Sequence, residues 1–515
     1  MVVLLVILAT ALLRIHLIGA PLERDEGEYA YAGQLMLQGI PPYQLACNMK
    51  LPGTYAAYAL IMAAFGQTIA AIHAGLLLVN AGAILLIYLL GRRLFSVPAG
   101  LAACAAYALL SVGAGVLGTQ AHATHFVVLA ALAGLWLLLR PAENGRWWML
   151  FASGALFGVA FVMKQHGIFF GVFAAAYLVA VRQWKKLPLF VAGAAAPFAL
   201  TCLLLWWAGV FGRFWFWTFT YASHYVSENS WRDGAAALAE TFLPILRQSA
   251  ALWALAGFAC LRAAYEIRRY RSFTKPPSEP GPKGAQSGSG STIALLVFSF
   301  AAVCPGLYFR AHYVVLMLPA VALLAGSCVR GRVSAGIFAA ALLLSLVVQR
   351  DFLFHMDPVE ISRELYGLEP FPEAVPVAAY IRNRTRPEDL IAVLGSEPEI
   401  YFYAHRHSAT SFIYVEPLVE PQPFALRMQD DMIAELERNA PAYVVRFPIV
   451  ETLSLGAQSP PRIFDWWADY GPKHYQLVGI ADILEDGSAE YRWDAAAEAY
   501  RPQSLYHLAV YRRKY

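Results

Sequence analysis

Asp25, Glu26 and Glu28 stand within one short run. Tyr29 follows at once, and Lys50 closes the same polar stretch just ahead of Pro52-Gly53. The stretch, PLERDEGEYAYAGQLMLQGIPPYQLACNMKLPG, lies between hydrophobic segments, where carboxylates and an amine are costly unless they work in water at the membrane face. A carboxylate there could take a proton from a hydroxyl as that hydroxyl attacks a substrate. Lys50, with Lys164 or Arg310, could hold a phosphate leaving group and stabilise the charge that develops on it. These residue types in this setting point to transfer from an anionic, lipid-linked donor, and residues 21–53 read as an active-site loop.

Other polar residues converge on the same face. His122 and His125 open one apolar run, Lys164 and His166 form a tight turn between two others, and Arg310, His312 and Tyr313 open a later one. His224, Glu228, Arg232 and Asp233 lie in a neighbouring aromatic stretch. With Glu28 and Tyr29, the residues His122, His125, His166, His312 and Tyr313 are candidate substrate-binding groups. Each has a plainer explanation. Lys164 and Arg310 could end helices and reach for head groups, His73 and Asn80 could bond between helices, and the aromatic stretch from Phe211 could be an interface belt. His122 and His125 are one helical turn apart, as metal ligands can be, but no H-E-x-x-H accompanies them and no metal is assigned. A divalent ion held by the carboxylates together with a donor phosphate is compatible with the loop.

The elements that position these groups are membrane helices. The chain has 515 residues, 59% of them hydrophobic and 14% charged, against about a quarter charged in soluble domains. Apolar runs approaching the length of a bilayer predict spans near residues 2–20, 69–90, 98–118, 122–139, 147–163, 166–181, 187–209, 241–261, 292–309, 312–328 and 333–349. That makes about eleven to thirteen spans, with Thr54–Phe65 too short to cross and read as interfacial or re-entrant. Lys and Arg concentrate in alternate loops (Arg92 and Arg93; Arg140 and Arg146; Arg182, Lys185 and Lys186; Arg262 to Lys283; Arg330 and Arg332), which the positive-inside rule assigns to the cytoplasm. The N-terminus is then cytoplasmic, and the active-site loop and C-terminal tail lie outside. The Pro/Gly/Ser-rich loop at 263–291 reads as a flexible cytoplasmic linker. No repeat of the transporter kind is visible, and no basic run with interleaved aromatics suggests nucleic acid. The six cysteines are scattered singly, which argues against a disulfide or metal framework.

From residue 350 to 515 charges become frequent. AVPVAAYIRNRT, EPEIYFYAHR and FALRMQDDMIAELERN read as helices, and LIAVLG, AYVVRF, KHYQLVGI and LYHLAVYR as strands. The fold class expected is therefore a polytopic α-helical membrane protein, residues 1–349, with a C-terminal extracytoplasmic α/β domain.

R-D-E-G-E-Y at Arg24–Tyr29 and K-x-P at Lys50–Pro52 resemble the first-loop acidic motif and the later Lys-Pro motif of family 39-type glycosyltransferases. These are GT-C-fold membrane enzymes that include protein O-mannosyltransferases and bacterial aminoarabinose transferases. Met163-Lys164-Gln165 is similar to their Lys-centred turn, and HYVVLMLPAVALLAG to a late span with a proline. Leu51 departs from the Lys-Pro-Pro run of many members. The resemblance implies a polyprenyl-phosphate sugar donor in the inner (plasma) membrane and a lipid, glycan or protein acceptor on the outer face. It implies Asp25 as base or acceptor-orienting acid, Glu26 in support, and Lys50 at the donor phosphate. The competing reading is a lipid or sugar transporter or flippase, which would place charges deep within spans.

Overall fold

The computed structural model describes residues 1–140, 147–227, 229–271, 283–447 and 459–514. Arg146, Glu228 and Lys275 lie outside them. Apolar helices dominate the first two-thirds: α1 Val2–Ile15, α2 Arg24–Leu37, α3 Gly53–Phe65, α4 Ile69–Leu94, α5 Val97–Leu110, α6 Ala123–Leu138, α7 Trp147–Met163, α8 Ile168–Ala180 and α9 Leu187–Trp207. Further long helices run Trp231–Gln248, Ala250–Arg271, Lys283–Val303 and Arg332–Val348. Among the described residues, Ile69–Leu94 and Trp184–Trp207 are each long and apolar enough to cross a bilayer alone, and eight further apolar helices of 10–17 residues accompany them. The outward faces of α1 (Leu4, Leu5, Leu8, Leu12), α9 (Leu203, Trp206, Trp207) and Arg332–Val348 (Leu343, Leu344, Val347) are exposed and apolar. Such faces suit contact with lipid.

Two expectations are corrected. The single span at 241–261 is instead two helices, Trp231–Gln248 and Ala250–Glu266, bent by 103° at their junction. Ser249 takes a non-helical conformation there (φ −141°, ψ 39°), and Gln349 Nε2 bonds its hydroxyl at 3.3 Å, so the break is built and held. The linker at 263–291 is helical at both ends: one helix runs to Arg271 and the next begins at Lys283. Only 272–282, between them, lies outside the described residues.

The two helices of the first loop differ from the rest. α2 is buried nearly all round, from Glu26 to Leu35, and α3 packs beside it. α3 begins where Gly53 meets the α7 backbone so closely that a Cβ would lie 2.6 Å from the Val162 carbonyl oxygen. Thr54 Oγ1 donates to the Met163 carbonyl at 2.8 Å at the same crossing.

The C-terminal region carries a five-stranded sheet in the order β1-β2-β5-β3-β4. Its strands are β1 Ile391–Leu394, β2 Tyr443–Arg446, β3 Tyr475–Ile483, β4 Ala489–Trp493 and β5 His507–Arg513. β1 and β2 are parallel, with helix Ala425–Asn439 between them in the chain, and the other pairings are antiparallel. All four strands read from the sequence form. β4 is the addition, a half-buried edge strand whose mixed polarity gave no period-two signal. Beside these, helix Arg462–His474 forms where no element was expected. The sheet is not a pendant unit: one apolar core runs from Leu22, Tyr29, Tyr31 and Tyr55 into Ile391, Ile400, Tyr443 and Val510.

Candidate active site

The first turn of α2 is set by a reciprocal cap. Glu23 Oε1 accepts from the Glu26 amide at 2.9 Å, and the Glu26 carboxylate accepts from the Glu23 amide at 3.5 Å. This leaves Asp25 at the helix N-terminus, where exposed amides favour a negative charge. Lys50 Nζ donates to Asp25 Oδ1 and, at 2.7 Å, to Glu28 Oε2. Glu28 in turn accepts from Asn48 Nδ2 at 2.7 Å and from the Tyr55 hydroxyl. Burial works to raise Asp25, but Lys50, with His312 and Lys164 beyond it, holds the carboxyl well below its usual range.

Asp25 and Lys50 open into a cavity of about 1000 Å³. Its lining includes eight of the residues singled out in the sequence: Asp25, Lys50, His122, Lys164, His166, Arg310, His312 and Tyr313. Lys164 follows α7, its Nζ 4.5 Å from the centre of the Tyr313 ring, and Arg310 lies over Tyr308 at 5.3 Å. Among the described residues neither cation has a carboxylate within ion-pair distance, unlike Lys50. Burial pushes Lys164 down to about 8, with Asp25 opposing it.

Glu26, Glu28, Tyr29 and His125 are not among the lining residues. Glu26 is fully buried and accepts from the Ala121 amide at 2.5 Å, with His73 Nε2 at 3.1 Å. Tyr58 bonds the Ala121 carbonyl at 2.8 Å. Arg14 bonds the carbonyls of Gly118 and Ser111 at 2.5 and 2.7 Å. These contacts fix the turn that presents His122, so Glu26 acts on the cavity through that turn. Glu28 anchors Lys50. Asp233 is spent on a cap with Ser230, at the start of helix Trp231–Gln248.

Several lining residues carried no signal in the sequence reading. Glu369, Tyr414, Glu416 and Glu420 come from the C-terminal region, and Tyr221 and Tyr225 from the aromatic stretch. Arg24 ties this wall to α2. It reaches Glu416 at 2.8 Å, Glu369 at 3.0 Å and the Ser396 carbonyl at 2.9 Å. The Tyr414 hydroxyl bonds the Arg24 carbonyl at 3.0 Å. The aromatic stretch also turns toward that region: Phe216 packs edge-on to Phe424 with centroids 5.1 Å apart, and Tyr221 bonds Glu420 at 2.7 Å. The one such residue the sequence could have given is Glu23, since its spacing to Glu26 is that of a capping pair.

Comparison with known proteins bears on the fold. Residues 50–207 match the family described as dolichyl-phosphate-mannose-protein mannosyltransferase. No curated protein matches the sequence. The structure of ArnT from Cupriavidus metallidurans bound to undecaprenyl phosphate is similar over 99% of this chain and 97% of that one, with a TM-score of 0.62 at 15% identity. The archaeal oligosaccharyltransferase AglB from Archaeoglobus fulgidus, in complex with an inhibitory peptide and a dolichol-phosphate, is similar over 98% of this chain and 74% of that one, with a TM-score of 0.53 at 14% identity. The fold is that of the GT-C membrane glycosyltransferases, and this chain is a membrane protein of that architecture.

Proposed function

We propose that the protein transfers a sugar from a polyprenyl-phosphate-linked donor to a hydroxyl acceptor at the membrane face on which α2 lies. The observation that carries this is the division of charge in the cavity. A carboxylate held well below its usual range, Asp25, stands on one side, and two cations with no carboxylate within ion-pair distance among the described residues, Lys164 and Arg310, stand with it. Mannosyl transfer from dolichyl phosphate in the matched family, and the polyprenyl phosphates in the two similar structures, support the same donor class.

In this reading Lys164 and Arg310 receive the donor phosphate, which carries the negative charge after transfer. The acceptor oxygen attacks the anomeric carbon as the bond from that carbon to the phosphate oxygen breaks, and its proton passes to Asp25. A carboxylate held this acidic is a weak base at rest. It becomes competent late in the step, when the attacking hydroxyl has acquired positive character. Lys50, bonded to Asp25 and Glu28, is a positioning residue that fixes the carboxylate and keeps it charged. The acceptor would enter along the wall of Tyr414, Glu416 and Tyr225. The inner membrane of a bacterial cell, with α2 and the C-terminal region outside, is the location that fits this reading, and a lipid, a glycan or a protein would serve as acceptor.

The test is an assay with purified protein in nanodiscs and a panel of radiolabelled polyprenyl-phosphate sugars, read as release of polyprenyl phosphate. Asp25→Asn should lose at least about 100-fold in kcat while still binding donor, and Lys164→Ala with Arg310→Ala should lose donor binding. Wild-type turnover in Asp25→Asn would remove the base from this scheme.

A further inference from the structure

Arg310 hangs from a turn whose backbone is strained. Beyond helix Lys283–Val303, the residues Gly306, Leu307 and Phe309 all take positive φ, at 75°, 55° and 44°. Glycine adopts that region freely, but a leucine and a phenylalanine do so only where neighbouring contacts hold them there. Those contacts come from Tyr225, Asn229 and Gly234. Asn229 Nδ2 donates to the Gly306 carbonyl at 3.0 Å. The Tyr308 hydroxyl donates to the Tyr225 carbonyl at 3.3 Å, and the two rings stack with centroids 4.5 Å apart at 13°. Leu307 packs so closely on Gly234 that a Cβ there would come within 2.7 Å of the Leu307 Cβ. Phe309 is buried in a small core with Val303 and Met317. What the clamped turn delivers is one cation. The Arg310 guanidinium lies over the Tyr308 ring, 5.3 Å from its centre, and Tyr225, Asn229, Tyr308 and Arg310 all line the cavity.

We infer, on the reading of Arg310 as a cation for the donor phosphate, that Asn229 and Tyr308 are its positioning residues. Asn229 pins the strained turn, and Tyr308 carries the guanidinium on its face. A ring beneath a guanidinium fixes its plane and leaves the N–H edge for oxygens. A carboxylate in the place of Tyr308 would hold Arg310 as firmly, but it would neutralise the charge that a phosphate needs. The second cavity cation is treated alike, since Lys164 also rests on a tyrosine face, that of Tyr313. Pinning the turn in a costly conformation sets the guanidinium before any ligand arrives, so binding does not have to order it. That gives the strain at Leu307 and Phe309 a use at the cavity.

The test is binding of undecaprenyl phosphate, without a sugar, to full-length protein in nanodiscs, counted with a radiolabel. Tyr308→Leu and Asn229→Ala should each weaken binding about tenfold. Tyr308→Phe, which keeps the ring, should bind within about threefold of wild type. Neither Tyr308→Leu nor Asn229→Ala should weaken binding further in an Arg310→Ala background, because each acts through that residue. A merely structural role would instead lower the melting temperature and weaken binding equally with and without Arg310. Unchanged affinity in both single variants, or losses that persist in the Arg310→Ala background, would overturn the positioning role. Unaltered binding in Arg310→Ala, or none in the wild type, would overturn the donor-phosphate reading, and the positioning role with it.

Discussion

At the residue scale the cavity separates two kinds of cation. Lys50 is already engaged by Asp25 and Glu28, so an incoming phosphate would have to compete with two carboxylates for it. Lys164 lies over the face of Tyr313, and burial pushes it down to about 8, with Asp25 opposing. Its charge is complete below that value and is lost as pH rises through it. The KM for a polyprenyl-phosphate donor should therefore climb above about pH 8, while Lys164→Arg should carry that rise to higher pH, because a guanidinium stays charged. A pH profile of KM that is the same in wild type and Lys164→Arg would remove Lys164 from the phosphate site. The positions of Asp25 and Lys50 were legible because carboxylates and an amine between apolar segments have no packing reason to be there. That Glu26 serves the His122 turn was not legible, since its partners Ala121 and His73 are distant in sequence and one of them is a backbone amide.

At the element scale, α2 is pressed against the C-terminal region along its length. Gly27 lies so near helix Glu399–Ala404 that a Cβ would come within 2.7 Å of the Glu399 backbone nitrogen. Tyr31 stacks on Tyr401 at 5.0 Å, and the Leu22 amide donates to the Tyr403 hydroxyl at 2.8 Å. Gly27→Ala would gain about 1 kcal/mol of helix propensity but force two backbones apart, at about 1–3 kcal/mol of overpacking. The expected result is a lower melting temperature and a fall in transfer activity larger than the stability loss, because Asp25 moves with α2. Unchanged activity in a destabilised variant would show that the close approach only stabilises. The helix itself could be read from the sequence through its cap and its apolar spacing. Its burial on every side could not, because the surface that covers it is contributed nearly four hundred residues later. The bend at Ser249 escaped for a related reason: the local pattern is continuous, and what holds the break is Gln349 from another helix.

At the scale of the whole molecule, the C-terminal region encloses acids that it does not neutralise. Burial pushes Glu397 up to about 8, with Arg24 opposing it, and pushes Glu399 up as well; among the described residues neither Glu399 oxygen has a hydrogen-bond partner. In the unfolded chain these groups ionise near their ordinary value, whereas in the folded chain Glu397 stays protonated until about pH 8. Folding is thus unpenalised in acid and progressively penalised as pH rises from about 4.5 to 8. Glu397→Gln should raise the melting temperature at pH 8 and leave it unchanged near pH 4, as read by thermal denaturation in detergent. An equal effect at both pH values would mean that the gain comes from packing.

The single core joining α2 to the C-terminal sheet also sets an order of events during synthesis. Arg24 and Asp25 are made well before the Glu369, Ser396 and Glu416 groups that hold Arg24, which follow more than three hundred residues later in the chain. Until the region carrying Glu369, Tyr414 and Glu416 has been made and has reached the same side of the membrane as α2, the acidic end of that helix lacks that wall. A chain stopped before Glu369 would carry the membrane helices and Asp25 and still lack that wall of the cavity. On the proposed function, the site would be whole only once that later region has been made and delivered to the face on which α2 lies.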